Sequence, residues 1–272
     1  MRDSVVVLVR AASFIALFQA AGAALFLTLF EATVPTAAAP IRHLARIATL
    51  AALALVAVHF GLEAAGLVAV AWHSALGTAL CLRLAGLLLI LIGLCTYRRV
   101  SGLLCMVGTA VLVCAFVSIG HTVDHAPRAV LAAVLVLHLL SITFWFGALW
   151  PLRQAVTLEA PATAAVVLER FSRIALWIVP ALLIAGVTLA VLLVPGLAVF
   201  AQPYGQLLLG KLVGFGVLLG LGALNKLRLT PALRLNPAWA VVRLRRSLAI
   251  EYGVVGVVLA ITAVMTGWYS PD

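Results

Sequence analysis

The side chains in this 272-residue chain that could grip an ion or pass a proton are six histidines, four cysteines and eight carboxylates. Their spacing is uneven. "CAFVSIGHTVDHAPR" (114–128) sets Cys114, Ser118 and His121 at i, i+4 and i+7, one face of a helix, with Asp124 and His125 just beyond. "VHFGLEA" sets His59 and Glu63 at i and i+4. "LHLLSITFWFGALWPL" (137–152) opens an uncharged aromatic run with His138, on one stripe with Ser141 and Trp145. Imidazole and thiolate are ligands for soft and borderline metal ions, and a carboxylate such as Glu63 or Asp124 can orient a ligating imidazole from behind. No Ser/His/Asp grouping, paired carboxylates or nucleotide fingerprint stands out, and the glycine-rich stretch around 210–222 is an apolar span rather than a phosphate loop. Binding is expected here, not catalysis.

The elements that must position these groups follow from composition. The chain is 65% hydrophobic and 10% charged, with a mean hydropathy of +1.24, where a soluble domain carries about 25% charged residues. Apolar runs long enough to cross a bilayer core of roughly 30 Å recur along its length. The short alternating segments of a closed barrel are absent. The pattern predicts an all-α polytopic transmembrane bundle, residues 1–272 forming a single integral membrane domain. Eight helices are expected over 5–33, 43–70, 75–97, 101–121, 127–152, 168–195, 205–227 and 246–269. Pro35, Pro40, Arg98-Arg99, Pro127, Pro161, Pro195 and Pro203 mark the breaks. The first span exceeds the apolar core of a signal peptide and is expected to remain, although Ala37-Ala38-Ala39 resembles a cleavage site. The longest connections are expected after Arg153 and over 228–246.

Lys and Arg in short loops set orientation. The loops after the odd-numbered helices hold thirteen, from Arg42 to Arg246, against four (Arg2, Arg10, Arg128 and Lys211) on the other side. Both termini are therefore expected outside. The net charge of +10 reads as a topology signal with attraction to lipid headgroups, and no nucleic-acid partner is expected. Counted at 1.5 Å per residue, His59 lies about 25 Å from the inner surface, His121 about 33 Å from it, and His138 about 15 Å below the outer surface. Five of the six histidines thus fall mid-membrane or outward, and ionisable groups at such depths face a bundle interior and mark function.

Other polar residues have plainer readings. Arg83 is expected to pair with Glu63 or Asp124, Glu251 with Arg245 or Arg246, and Glu31 with Arg42 or Arg46. Lys211 is expected to snorkel outward. The cysteines and Met265 are expected to pack in the core. Trp145 and Trp150 lie toward the inner end of their helix, where an interfacial aromatic belt is expected to account for at least one of them.

Five segments in order resemble the copper-resistance D (CopD/PcoD) family. They are "SIGHTVDH", "LHLLSITFWFGALWPL", "FSRIALWIVPALLIAGV", "YGQLLLGKLVGFGVLLGLGALNKLRLTPAL" and "LRRSLAIEYGVVGVVLAITAVMTG". The resemblance covers the chain from about 115 onward. It implies copper handling, as Cu(I) or Cu(II), at the bacterial inner membrane, where the charge count puts both termini on the periplasmic side. It further implies inward copper transport alongside a separate periplasmic carrier of the CopC type. His121 and His138 carry the family's histidines; His59, His125, Asp124 and Cys114 are added by depth and spacing. Only three methionines are present, too few for a methionine ladder. A haem-b electron carrier using His59 and His138 is an alternative reading, and a non-transporting copper scaffold or sensor is another.

Overall fold

The computed structural model describes residues 2–96, 98–119, 126–194, 196–235 and 237–269. Every regular element among them is helical: α1 (Arg2–Phe30), α2 (Ala38–Ala64), α3 (Val68–Trp72), α4 (Ala75–Cys95), α5 (Arg98–Cys114), α6 (Arg128–Leu158), α7 (Pro161–Leu193), α8 (Pro203–Leu224), α9 (Thr230–Leu235) and α10 (Pro237–Trp268). Short 3₁₀ turns extend α1 and α5, and a π turn, Asn225–Leu229, joins α8 to α9. Eight of these segments are long and apolar enough to span a membrane.

Local chemistry sets the helix ends. The Ser74 hydroxyl accepts from the Leu76 N–H at 3.1 Å and caps α4. Pro161 and Pro203 open α7 and α8, where a missing N–H costs nothing. Inside the spans, the hydroxyls of Thr49, Thr109, Ser141 and Thr143 donate to the carbonyl four residues back. Each is thus satisfied without a partner helix.

The helix at the centre of the bundle is α1. It packs on α2, α5, α6 and α10, and 72% of its apolar stretch is buried, against 6% for the stretch beginning at α8. Its closest approach is to α6, glycine on glycine. A Cβ on Gly22 would lie 2.1 Å from the Thr143 carbonyl oxygen, and one on Gly147 would lie 2.2 Å from the Gly22 Cα. Gly86 and Gly108 bring α4 and α5 together in the same way.

Two expected connections turn out to be helix. Only Glu159 and Ala160 separate α6 from α7, and the described part of 228–246 is helical. Hydropathy marks where lipid ends, whereas Arg, Glu, Leu and Ala sustain a helix well past that point.

Gly267 lies against Val7 and Arg10, so both termini share one end of the bundle. At the opposite end charged side chains tie helices together. Arg42 pairs with Glu31 at 2.7 Å, as expected. Arg42 and Arg46 both donate to the Leu94 carbonyl, which ends α4. Glu159 accepts from the Thr36 and Ala37 N–H groups, each at 2.8 Å, ahead of α2.

Candidate metal-binding site

Among the described residues, the half of the bundle nearer the termini holds Arg10, His59, Glu63, Arg83, His138 and Lys211, on five different helices. His59 is buried on the face of α2 that meets α1. Its Nε2 accepts from Arg10 Nε at 3.3 Å and lies 3.3 Å from Glu63 Oε1, so the i, i+4 pairing of His59 with Glu63 holds. Arg10 also donates to Glu63 and takes the carboxylate that Arg83 was expected to use. Arg83 is instead buried in α4 with its guanidinium carbon 4.6 Å from the centre of the Phe116 ring, and its Nε has no partner. The aromatic face offsets part of the cost of that buried charge.

The balance here is two guanidinium groups against one carboxylate. A cation would meet net repulsion, and the His59 Nε2 lone pair is already directed at Arg10. This cluster holds His59 as a hydrogen-bond acceptor between α1 and α2. Arg10 is the member that spacing did not point to. Its signal was a charge eight residues inside an otherwise apolar helix.

His138 stands in different surroundings. On α6 it faces α7, where Gly186 leaves room beside it: a Cβ there would lie 3.6 Å from His138 Nδ1. The ring also meets the Leu182 backbone, and Lys211 of α8 is the charged group within electrostatic reach. Nδ1 is buried and has no hydrogen-bond partner. An imidazole in an apolar setting with no side-chain partner at Nδ1 can offer a nitrogen to a metal ion.

The aromatic run after His138 packs inward. Phe144 stacks on Phe171 of α7 at 5.5 Å, Trp145 meets Phe215 of α8 edge-on at 6.2 Å, and Phe146 stacks on Tyr252 of α10 at 4.8 Å. Trp145 is 7% exposed and belongs to the core, which leaves Trp150, half-buried, as the belt candidate of the pair.

Cys114 ends α5 and is exposed. It shares a cleft of about 650 Å³ with Ser118, Thr78, Arg128 and Val136, between α4, the end of α5 and the start of α6. Cys114 and Ser118 therefore share a face, as their spacing predicted. Of the other cysteines, Cys105 is buried while Cys81 and Cys95 are exposed. Met265 is buried in the core.

His121, Asp124 and His125 lie outside the described residues, in the connection from Ile119 to Ala126. His59, His138 and Cys114 each have their own neighbours. Among the described residues no three His, Cys, Asp or Glu groups meet as a metal site. The pair that a haem would need, His59 and His138, engages α1 in one case and α7 in the other.

Glu251, expected to balance Arg245 or Arg246, is instead buried and accepts a hydrogen bond from the side-chain amide of Asn225. The sequence signal was available, since an Asn at the end of an apolar span is a natural partner for a buried carboxyl.

No curated protein and no solved structure matches the chain. Residues 165–265, from within α7 into α10, match the family CopD, copper resistance protein D, a likeness that covers just over a third of the chain and agrees with its eight helices of membrane-spanning length.

Proposed function

We propose that this protein binds copper as cargo in the half of the bundle nearer its termini and passes it across the bacterial inner membrane, from periplasm to cytoplasm. The observation that carries this reading is His138, whose buried Nδ1 has no hydrogen-bond partner in a chain with a CopD match. His121 is the second ligand, with His125, Asp124 and Cys114 available nearby in sequence. His59 stands behind them, fixed by Arg10 and Glu63. The excess of Lys and Arg on the opposite side supports periplasmic termini. Copper would then be delivered at the terminal end by a separate carrier of the CopC type.

Little of the path beyond His138 is lined by soft ligands. Cys105 is buried beside Ser101 and Thr28 near the opposite end, and His43 lies on α2 near its start. An ion crosses only by leaving each site for the next, so the capture site is expected to bind weakly enough to release its cargo.

The test is copper binding and copper uptake by purified protein in sealed vesicles, for the wild type, His138→Ala and His121→Ala. Loss of both activities in each variant, with folding intact, supports the reading. Unchanged binding in both variants removes it. Binding without uptake in the wild type would make the protein a copper scaffold instead.

A further inference from the structure

Within the CopD-matching helices, one buried acid has no cation beside it. Glu251 is 2% exposed on α10, in a span read as crossing the membrane. Its polar contact is the side-chain amide of Asn225, which donates to Oε1. Asn225 opens the π turn, and π turns inside helices are frequent at functional positions. Asn225 Oδ1 is buried and has no partner, and the same is true of Ser247 Oγ, one helical turn before Glu251 on the same face. Asn225 is 8% and Ser247 6% exposed.

Charged and titratable groups on the surrounding elements all have other engagements or other positions. On α6, Arg153 lies over the Trp150 ring at 5.2 Å with its Nε buried and unpartnered, and on α7, which packs on the π turn, Arg170 lies over the Phe30 ring at 5.1 Å. On the π turn, Lys226 and Arg228 are exposed. On α9, Arg234 pairs with Glu169. On α1 and α8, Asp3, Arg10 and Lys211 lie toward the terminal end. On α10 itself, Arg243 lies over Trp239, Arg245 and Arg246 lie in the turn before Ser247, and Tyr252 stacks on Phe146. Glu251 takes part in none of the ion pairs among the described residues.

A carboxylate left unpaired in such a place is costly, and the cost is removed by neutralising it. The amide offers one donor and one acceptor. A carboxylic acid offers one acceptor and one donor, so a proton on Glu251 supplies the donor that Asn225 Oδ1 lacks. We infer that Glu251 and Asn225 form a proton-binding site within the CopD-matching stretch of the chain. Proton uptake and release there would give the protein a second ion to handle besides its cargo. Protonation of this pair does not depend on copper binding.

An apolar carbodiimide tests this on the intact protein in vesicles, because it modifies a carboxylic acid and not a carboxylate. Glu251 should be labelled at acid pH, with labelling falling about tenfold per pH unit above its titration point. Glu63, paired with Arg10, should stay unlabelled in the same sample. Glu251→Gln should lose the labelled peptide and keep its melting temperature. Asn225→Leu should displace the pH of half-labelling, which a merely structural amide would leave in place. The inference is overturned if folded wild type is unlabelled at Glu251 at every pH, if sodium or potassium blocks labelling at fixed pH, or if Asn225→Leu leaves the profile unmoved. None of these readouts uses copper, so their failure is distinct from failure of the copper reading.

Discussion

The two ends of the bundle use polar residues differently. Away from the termini, charged side chains finish backbone groups and bind neighbouring helices: Glu159 covers two N–H groups ahead of α2, and Arg42 and Arg46 both cover the Leu94 carbonyl near the end of α4. Toward the termini, polar side chains sit deep in the apolar spans with atoms left over, the Nε of Arg83 and the Nδ1 of His138. Satisfied groups hold helices in place, whereas the unpartnered N–H of Arg83 is a cost carried by the fold and the unpartnered Nδ1 of His138 can turn to a ligand. The contrast is not complete: Asn225 Oδ1, Ser247 Oγ and Arg153 Nε are also left over away from the termini, so copper is to be sought at one end and a proton at the other.

The largest effect is expected where both ends depend on one contact. Gly147→Val drives a side chain into the α1 backbone at Gly22, and overpacking against backbone should cost about 3 kcal/mol or more. Thermal unfolding should show the loss, and copper binding should fall with it. A stable variant with intact binding would show that the two ends do not share this spine. Glu159→Ala should cost about 2 kcal/mol, since two N–H groups lose a charged acceptor. Copper affinity measured on the same sample should not change, and a change would blur the contrast between the ends.

His138→Ala should act the other way. Copper affinity should drop by about tenfold or more, roughly 1.4 kcal/mol, with the melting temperature held within a few degrees. Equal losses in both would make His138 another structural residue. The smallest effect belongs to Arg234→Ala. Its ion pair with Glu169 is more than half exposed on the Arg234 side and nearly so on the other, and should contribute about 0.5 kcal/mol or less in denaturant unfolding.

Much of this was legible beforehand, and particular residues show where legibility stops. The i, i+4 relation of His59 and Glu63 is a property of one helix, so spacing revealed it. The partner of Glu63 was not, because Arg10, Arg83 and Asp124 lay on other segments and only packing could choose Arg10. Trp145 shows the same limit. Its depth suggested an interface, but α8 covers it. The stretch after Arg153 and the described part of 228–246 look like connections in the sequence because charge signals the edge of lipid, yet both are largely helical, since charge is compatible with helix.

What the sequence determined by itself was the number of spans, their order and the depth of each polar residue along its own helix. Those follow from transfer of roughly 20-residue apolar segments out of water, a cost summed residue by residue along one stretch of chain. The tertiary structure alone decided that α1 is central, that Arg10 and not Arg83 takes Glu63, and that Asn225 meets Glu251. Those choices depend on which helix faces go together. In a membrane, where lipid is as apolar as leucine, close backbone approach at glycine and the satisfaction of buried polar atoms settle that question.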